Sequence, residues 1–126
     1  MMENYSELYE SNLVFNEDKK IKVLLSKPIN KLLSELPMDY HPSNYFVTID
    51  KDENMIGFNE VLDGNHRLAI MLNENTLNKG DFYFIDYDLL SKKGYLDNQD
   101  NQDSFERFVK QNGKKISVDN LIFEEG

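Results

Sequence analysis

Short apolar runs of two kinds alternate along the chain. The runs at 21–26, 45–50 and 82–87 are rich in β-branched and aromatic residues, which is typical of strands. The run at 29–36 repeats its apolar residues at the spacing of a helix, and the run at 66–74 is apolar nearly all round, which predicts a well-buried helix. A chain that alternates these two patterns buries its apolar residues by packing helices against a sheet.

Weaker patterns complete the predicted order of elements. They predict a helix at 3–12 and a strand at 55–62, which forms a hairpin with 45–50 across the turn KDEN. They also predict a helix at 104–112 and a last strand at 115–123. A capping box of Asp103 and Glu106 begins this helix, and Gly113 ends it. From residue 21 the order is strand, helix, strand, strand, helix, strand, helix, strand. We therefore predict an α+β (mixed α/β) fold with a central mixed sheet and three to four helices.

The length of the chain and the residues it lacks narrow the class of protein. At 126 residues there is room for one ordinary domain. The absence of cysteine excludes disulfides, thiolate metal ligands and a cysteine nucleophile. The first ten residues lack the pattern of a secretory signal, and no apolar run approaches the roughly 18 residues of a membrane span. We therefore expect a cytoplasmic protein that does not bind membranes.

The chain is acidic, with 14 basic residues against 23 acidic ones and a formal charge of -9. Its averaged field repels phosphate backbones, so direct nucleic-acid binding is not expected. A local pocket for a small anion is compatible with this charge, because backbone N–H groups and one arginine act over a few ångströms.

Five polar residues, Asp63, Gly64, Asn65, His66 and Arg67, lie between a predicted strand and a predicted helix. A helix N-terminus presents unpaired N–H groups and the positive end of the macrodipole, and both favour an anion. Gly64 would let a phosphate approach the backbone, and Arg67 would bind phosphate oxygens with its planar guanidinium. His66 would donate a hydrogen bond or move a proton, and Asp63 would cap the helix or hold a cation that bridges phosphates.

A purely structural interpretation of the same residues stays open. Asp-Gly is a common turn dipeptide, Asp63 or Asn65 is a good N-cap, and Arg67 would then lie on an exposed helix face. Spacing alone does not decide between a phosphate-binding box and a strand-to-helix corner.

The segment VLDGNHRLAIML, with the preceding HPSNYFVTIDKDENMIGFNE, resembles the ParB-like nuclease and sulfiredoxin superfamily. Members of that superfamily carry an Asp-Gly-x-His-Arg box between a strand and a helix. The likeness spans residues 21–90, which would form the ParB/sulfiredoxin-like core of a single domain, 1–126. Residues 91–126 would then add a C-terminal extension of one helix and one strand.

The resemblance implies that the box binds the phosphates of a nucleotide such as ATP, ADP or CTP, together with Mg²⁺. Carried over by position, Gly64, Asn65, His66 and Arg67 would form the phosphate site, with His66 nearest to any transfer chemistry. Serine kinases of the superfamily use a glutamate from an earlier segment, and the candidates here are Glu35 and Glu60.

The chain also departs from the superfamily pattern. Asn65 stands where sulfiredoxins need a cysteine, which excludes that activity. The chain has no room for the helix-turn-helix and dimerisation modules of partition proteins. Whether the box turns over a nucleotide or only binds it stays open.

Asp86 and Asp88 follow a predicted strand at a spacing that would place both carboxylates on one side of it. Together with Asp63 they are candidate Mg²⁺ ligands beside a bound nucleotide. The alternative is that the Asp86 and Asp88 carboxylates cap a turn or are solvated.

Two functions from different classes fit these observations. The first is a small nucleotide-binding protein that acts as a phosphotransferase or NTP hydrolase. The second is an acidic, non-enzymatic inhibitor of phage or mobile-element origin, of the anti-CRISPR or anti-restriction type, that blocks a host nucleic-acid-binding protein. Its acidic segments at 97–106 and 124–125 would then face a basic protein partner, although acidic surfaces commonly serve solubility alone.

Overall fold

Six strands and four α-helices form within the residues that the computed structural model describes, 20–51, 59–94 and 102–126. The strands are β1 (Ile21–Leu24), β2 (Phe46–Asp50), β3 (Asn59–Asp63), β4 (Asp81–Ile85), β5 (Lys114–Ile116) and β6 (Leu121–Glu124). The helices are α1 (Ile29–Ser34), α2 (Asn65–Glu74), α3 (Tyr87–Lys92) and α4 (Gln102–Asn112). The predicted mixed α/β fold is confirmed. The predicted helix at 3–12 and the hairpin turn after Lys51 lie outside the described residues.

One mixed sheet joins the six strands in the order β5-β4-β2-β3-β1-β6. Strand β1 is parallel to both β3 and β6, and β2 is parallel to β4. Strand β2 is antiparallel to β3, as predicted for the hairpin, with Ile49 opposite Val61 and Thr48 opposite Asp63. The register differs from the predicted one, because a hairpin closed by KDEN alone would place Ile49 opposite residue 56. Strand β5 is antiparallel to β4, so residues 114–124 supply both edges of the sheet.

The prediction of a single strand at 115–123 is wrong, because this segment forms parts of β5 and β6 on opposite edges of the sheet. Between them, Val118–Asn120 make a 3₁₀ turn, and the Ser117 hydroxyl accepts a hydrogen bond from the Asp119 N–H at 3.3 Å. Serine, aspartate and asparagine favour such local bonds over a strand ladder. The polar residues inside the segment were therefore the signal of a break.

The short connection between β5 and β6 requires a curled sheet. In a flat sheet the first and sixth strands lie about 24 Å apart. The five residue steps from Ile116 to Leu121 reach at most about 18 Å. The rings of Phe82 on β4 and Phe123 on β6 lie 5.8 Å apart between centroids, which agrees with the curl. Both edges of the sheet are thereby brought toward each other.

Apolar side chains pack on both faces of the sheet. Helices α1 and α2 contribute to the larger core, whose fully buried members include Val23, Leu32, Val47, Ile49, Leu68 and Met71. Helices α3 and α4 contribute to the smaller core, which consists of Phe46, Ile85, Leu90, Phe105 and Val109. In β2, Phe46 and Val47 belong to different cores, as the two-residue period of a strand requires. The predicted burial of the helix after the box is confirmed, since Leu68 to Met71 are all buried.

The two helices after β4 differ from what the sequence predicted. Helix α3 was not predicted at all. Helix α4 already includes Gln102, so Asp103 lies inside its first turn and the predicted capping box is not formed. The Glu106 carboxylate instead accepts hydrogen bonds from the side chains of Gln102 at 3.0 Å and Asn44 at 3.2 Å. None of the helices in the described residues is long and apolar enough to cross a membrane.

Candidate functional site

The corner between β3 and α2 depends on glycine for a structural reason. Gly64 is the N-cap of α2 and has a φ of 98° and a ψ of 18°, a left-handed conformation that disfavours other residues. A Cβ at this position would also lie 2.6 Å from the carbonyl oxygen of Phe46. The missing side chain therefore lets the corner pack against β2. This close approach differs from the predicted one, in which the glycine makes room for a phosphate.

Arg67 joins three elements of the fold. Its Nε donates to the Phe46 carbonyl at 3.0 Å, and its Nη2 donates to the Asp63 carboxylate at 2.8 Å. The Arg67 side chain is 17% exposed and that of Asp63 is 14% exposed. Arg67 thus does not lie on an open helix face, as the structural interpretation had it, but ties α2 to β2 and β3. Two of its five N–H donors are used in these bonds, which leaves donors for a ligand.

The side chains expected to cap the helix have other partners. Asn65 is the first residue of α2, and its Oδ1 accepts a hydrogen bond from the Ser26 N–H at 2.9 Å. Its Nδ2 donates to the Val61 carbonyl at 3.4 Å. Asp63 is bound to Arg67 and to the side chain of Gln102 at 3.2 Å. The prediction of Asp63 or Asn65 as N-cap is therefore wrong, because Gly64 takes that position without a side-chain bond.

The first turn of α2 leaves backbone donors open. The first helical bond runs from the Leu68 N–H to the Gly64 carbonyl at 2.8 Å. Within the described part of the chain, the N–H groups of Asn65, His66 and Arg67 have no hydrogen-bond partner. These amides lie at the positive end of a ten-residue helix. An anion placed against this turn would satisfy donors that the fold leaves free.

A cavity of about 170 Å³ lies at this turn and is lined by Tyr40, Asp63, Gly64, Asn65, His66 and Arg67. The five predicted box residues therefore share one hollow. Pockets that enclose a drug-sized ligand are larger, roughly 300–1,000 Å³. The cavity accordingly suits a phosphate group or a short phosphate chain.

His66 is held by a hydrogen bond with a residue 31 positions earlier. Its Nε2 lies 2.9 Å from the Glu35 carboxylate, whose other oxygen lies 2.6 Å from the Lys27 Nζ. The hydrogen bond from Lys27 and then that from His66 lower the pKa of Glu35 below its ordinary value of 4.5. Glu35 therefore carries its negative charge at neutral pH and fixes the orientation of the imidazole.

Of the two predicted catalytic glutamates, the structure brings Glu35 to His66 and places Glu60 elsewhere. Glu60 is exposed on β3. It lines a second cavity of about 400 Å³ with Leu24, Leu25, Ser26, Val61 and Gly126. This second cavity includes neither His66 nor Arg67 in its lining.

The three predicted metal ligands do not meet. Asp63 lies opposite Thr48, whereas Asp86 follows Ile85, the partner of Asp50. Asp63 and Asp86 are thus three residues apart along the strands, about 10 Å, and two strands apart across the sheet, also about 10 Å. The distance between the two residues is therefore about 14 Å. The Asp86 carboxylate accepts from the Asp88 N–H at 2.9 Å and caps α3, which is the alternative role of this pair. In the ranges that the structure describes, no group of three His, Cys, Asp or Glu side chains could hold a metal ion.

Two carboxylates of the proposed inhibitor surface accept hydrogen bonds from other parts of the same chain. Glu106 accepts the hydrogen bonds from Asn44 and Gln102. Glu125 accepts a hydrogen bond from the Ile29 N–H at 2.7 Å, at the start of α1. Residues 97–101 lie outside the described residues. The other described acidic residues of these segments are exposed, so the basic partner stays a prediction.

Sequence reasoning missed three residues around the box. Tyr40 lines the cavity, Lys27 binds Glu35, and Gln102 bridges Asp63 and Glu106. Each of them approaches the box from a distant part of the sequence. No local periodicity or spacing could have found them.

The fold and the cavity define a small mixed α/β domain with a phosphate-sized hollow at a strand-to-helix corner. Comparison of the chain with protein-family models, with curated proteins and with solved structures finds no significant match.

Proposed function

We propose that the chain binds the phosphate groups of a nucleotide, as the Mg²⁺ complex of ATP, ADP or CTP, in the cavity at the N-terminus of α2. The observation that carries the proposal is one hollow that combines a guanidinium and an imidazole with three amides that have no partner among the described residues. Such donors bind phosphate oxygens directly. The resemblance of the box to the ParB-like and sulfiredoxin superfamily supports the same ligand.

The Asp63 carboxylate in the same cavity determines the form of the ligand. The negative Asp63 carboxylate is paired with Arg67 and offsets the positive charge of the guanidinium, which a phosphate without a cation would need. Mg²⁺ is commonly bound through one or two carboxylates together with substrate phosphates, so the Asp63 carboxylate would be the protein's contribution, through Oδ1, since Arg67 and Gln102 both bind Oδ2. Binding is therefore expected to depend on Mg²⁺.

The Glu35–His66 pair gives a bound nucleoside triphosphate a route to hydrolysis. With Nε2 held by Glu35, Nδ1 is the ring nitrogen left for the ligand: it donates to a phosphate oxygen when it carries a proton and accepts a proton from water when it does not. Water would attack the γ-phosphorus and the bond to the bridging oxygen would break, with His66 taking a proton from the water. Inorganic phosphate and the nucleoside diphosphate would be released.

Isothermal titration with Mg²⁺ and ATP, ADP, CTP or tripolyphosphate tests the binding site. His66→Ala is the informative variant, because the contact of its ring with Glu35 is partly exposed. Arg67→Ala would also break a nearly buried ion pair, at a cost of about 3 kcal/mol in stability. We expect His66→Ala to weaken nucleotide binding about tenfold, as for a lost hydrogen bond to a charged group.

The matched control is Asn73→Ala, an exposed residue near the other end of α2. Absence of binding by every probe in the wild-type protein would overturn the proposal. Equal affinity in the two variants would remove the cavity as the site. Phosphate release from ATP, measured for the wild type and for Glu35→Gln, separates turnover from binding.

A further inference from the structure

The cavity cannot enclose a whole nucleotide. Its volume of about 170 Å³ accommodates phosphate groups, so the sugar and base must extend past its rim. Among the six lining residues, Tyr40 is the aromatic side chain that has neither a hydrogen bond nor an ion pair with any residue that the structure describes. We infer that Tyr40 is the platform on which the nucleotide base stacks, an inference that rests on the phosphate site proposed above.

The Tyr40 ring is available for stacking. Tyr40 is 39% exposed, and the neighbouring Met38 is 89% exposed. Within the described residues, the ring contacts that occur join Phe46 to Tyr83 and Phe82 to Phe123, and Tyr40 takes part in neither. A nucleotide carries phosphates at one end and an aromatic base at the other. The cavity would hold the phosphates, and the exposed ring beside it would contact the base.

A turn holds Tyr40 beside the cavity. The Tyr40 N–H donates to the Pro37 carbonyl at 3.2 Å, which closes a four-residue turn. Asp39, the third residue of this turn, has a φ of 63°, a left-handed conformation that aspartate tolerates better than most residues. The turn fixes the point from which the side chain reaches the cavity.

Stacking on Tyr40 has a consequence for specificity. Every base offers a π-face, so an aromatic platform discriminates weakly between bases. The ligand class is therefore a nucleoside di- or triphosphate with little preference for adenine, guanine or cytosine. The phosphates provide the anchor and the base adds affinity.

Isothermal titration of Tyr40→Leu and Tyr40→Phe in the full chain, with Mg²⁺ and ATP, GTP, CTP or tripolyphosphate, tests the platform. Tyr40→Leu is expected to weaken all three nucleotides about tenfold and to leave tripolyphosphate unchanged, because only the nucleotides carry a base. Tyr40→Phe retains the ring and is expected to bind as the wild type does. Tyr87→Leu, which changes an exposed tyrosine on α3, is the matched control.

The outcomes separate the platform from the phosphate site. Unchanged nucleotide affinity in Tyr40→Leu, or an equal loss for tripolyphosphate, overturns the platform while the phosphate site stands. A loss in Tyr40→Phe as large as in Tyr40→Leu shows that the hydroxyl matters rather than the ring, and also overturns it. If neither nucleotides nor tripolyphosphate bind the wild type, the proposed function fails and the platform fails with it. Thermal unfolding of each variant verifies that it is folded.

Discussion

At the scale of single residues, the carbonyl oxygen of Phe46 connects the corner to β2. It accepts the hydrogen bond from Arg67 Nε and lies where a side chain on Gly64 would have to go. The sequence pattern predicted a ligand at Arg67 and Gly64, and the structure shows that both residues also stabilise the corner. The same corner that presents the open amides is thus built from residues that cannot be replaced without a cost in stability.

Gly64→Ala should lower the free energy of unfolding by about 2–4 kcal/mol. The added methyl group meets the Phe46 carbonyl at 2.6 Å, and the φ of 98° is unfavourable for alanine. Chemical denaturation measures the loss. Gly94→Ala is the matched control, because Gly94 also has a positive φ, of 77°, but has open space around its Cβ position. A loss no larger than that of Gly94→Ala would remove the packing explanation.

Glu35 provides a prediction about pH. Its pKa is lowered in the folded state, mainly by Lys27 and then by His66, so its contribution to stability is fully present above its ordinary pKa of 4.5. That contribution is lost as the pH falls below 4.5 through the folded pKa. Lys27→Met should raise the pKa of Glu35 more than His66→Ala does, because the Lys27 hydrogen bond is the larger cause. Titration of the side-chain carboxyl by NMR measures both variants, and the opposite ranking would contradict the geometry.

At the scale of the secondary-structure elements, the sequence predicted those helices and strands that depend on residues close to each other along the chain. The strand at 45–50 is rich in β-branched and aromatic residues and the helix after the box is apolar nearly all round, and both form nearly where expected. Helix α3 has only six residues and begins inside a run that continues the strand pattern of β4, so its start depends on the Asp86 cap. Which edge β5 and β6 join depends on contacts distant in sequence, as does the approach of Glu35 to His66.

The cap of α3 is testable by one substitution and its isostere. Asp86→Ala should lower the free energy of unfolding by about 1 kcal/mol, because it removes the acceptor of the Asp88 N–H. Asp86→Asn should change it much less, since asparagine caps helices about as well as aspartate. Denaturation with and without Mg²⁺ also separates capping from metal binding. A loss in both variants that appears only with Mg²⁺ would restore the metal assignment.

At the scale of the whole molecule, the curl of the sheet determines which strands are neighbours in space. Strands β4 and β6 are four spacings apart in the sheet order, about 19 Å if the sheet were flat. The Phe82 and Phe123 rings nevertheless lie 5.8 Å apart, because the sheet wraps around the larger core. NMR should therefore show direct cross-relaxation between these two rings. The Phe46 and Tyr83 rings, 5.4 Å apart on adjacent strands, are the positive control, since they are close in a flat or a curled sheet. A signal from the control pair without one from Phe82 and Phe123 would mean that the edges do not approach, and the four-residue connection between β5 and β6 would then have to run differently.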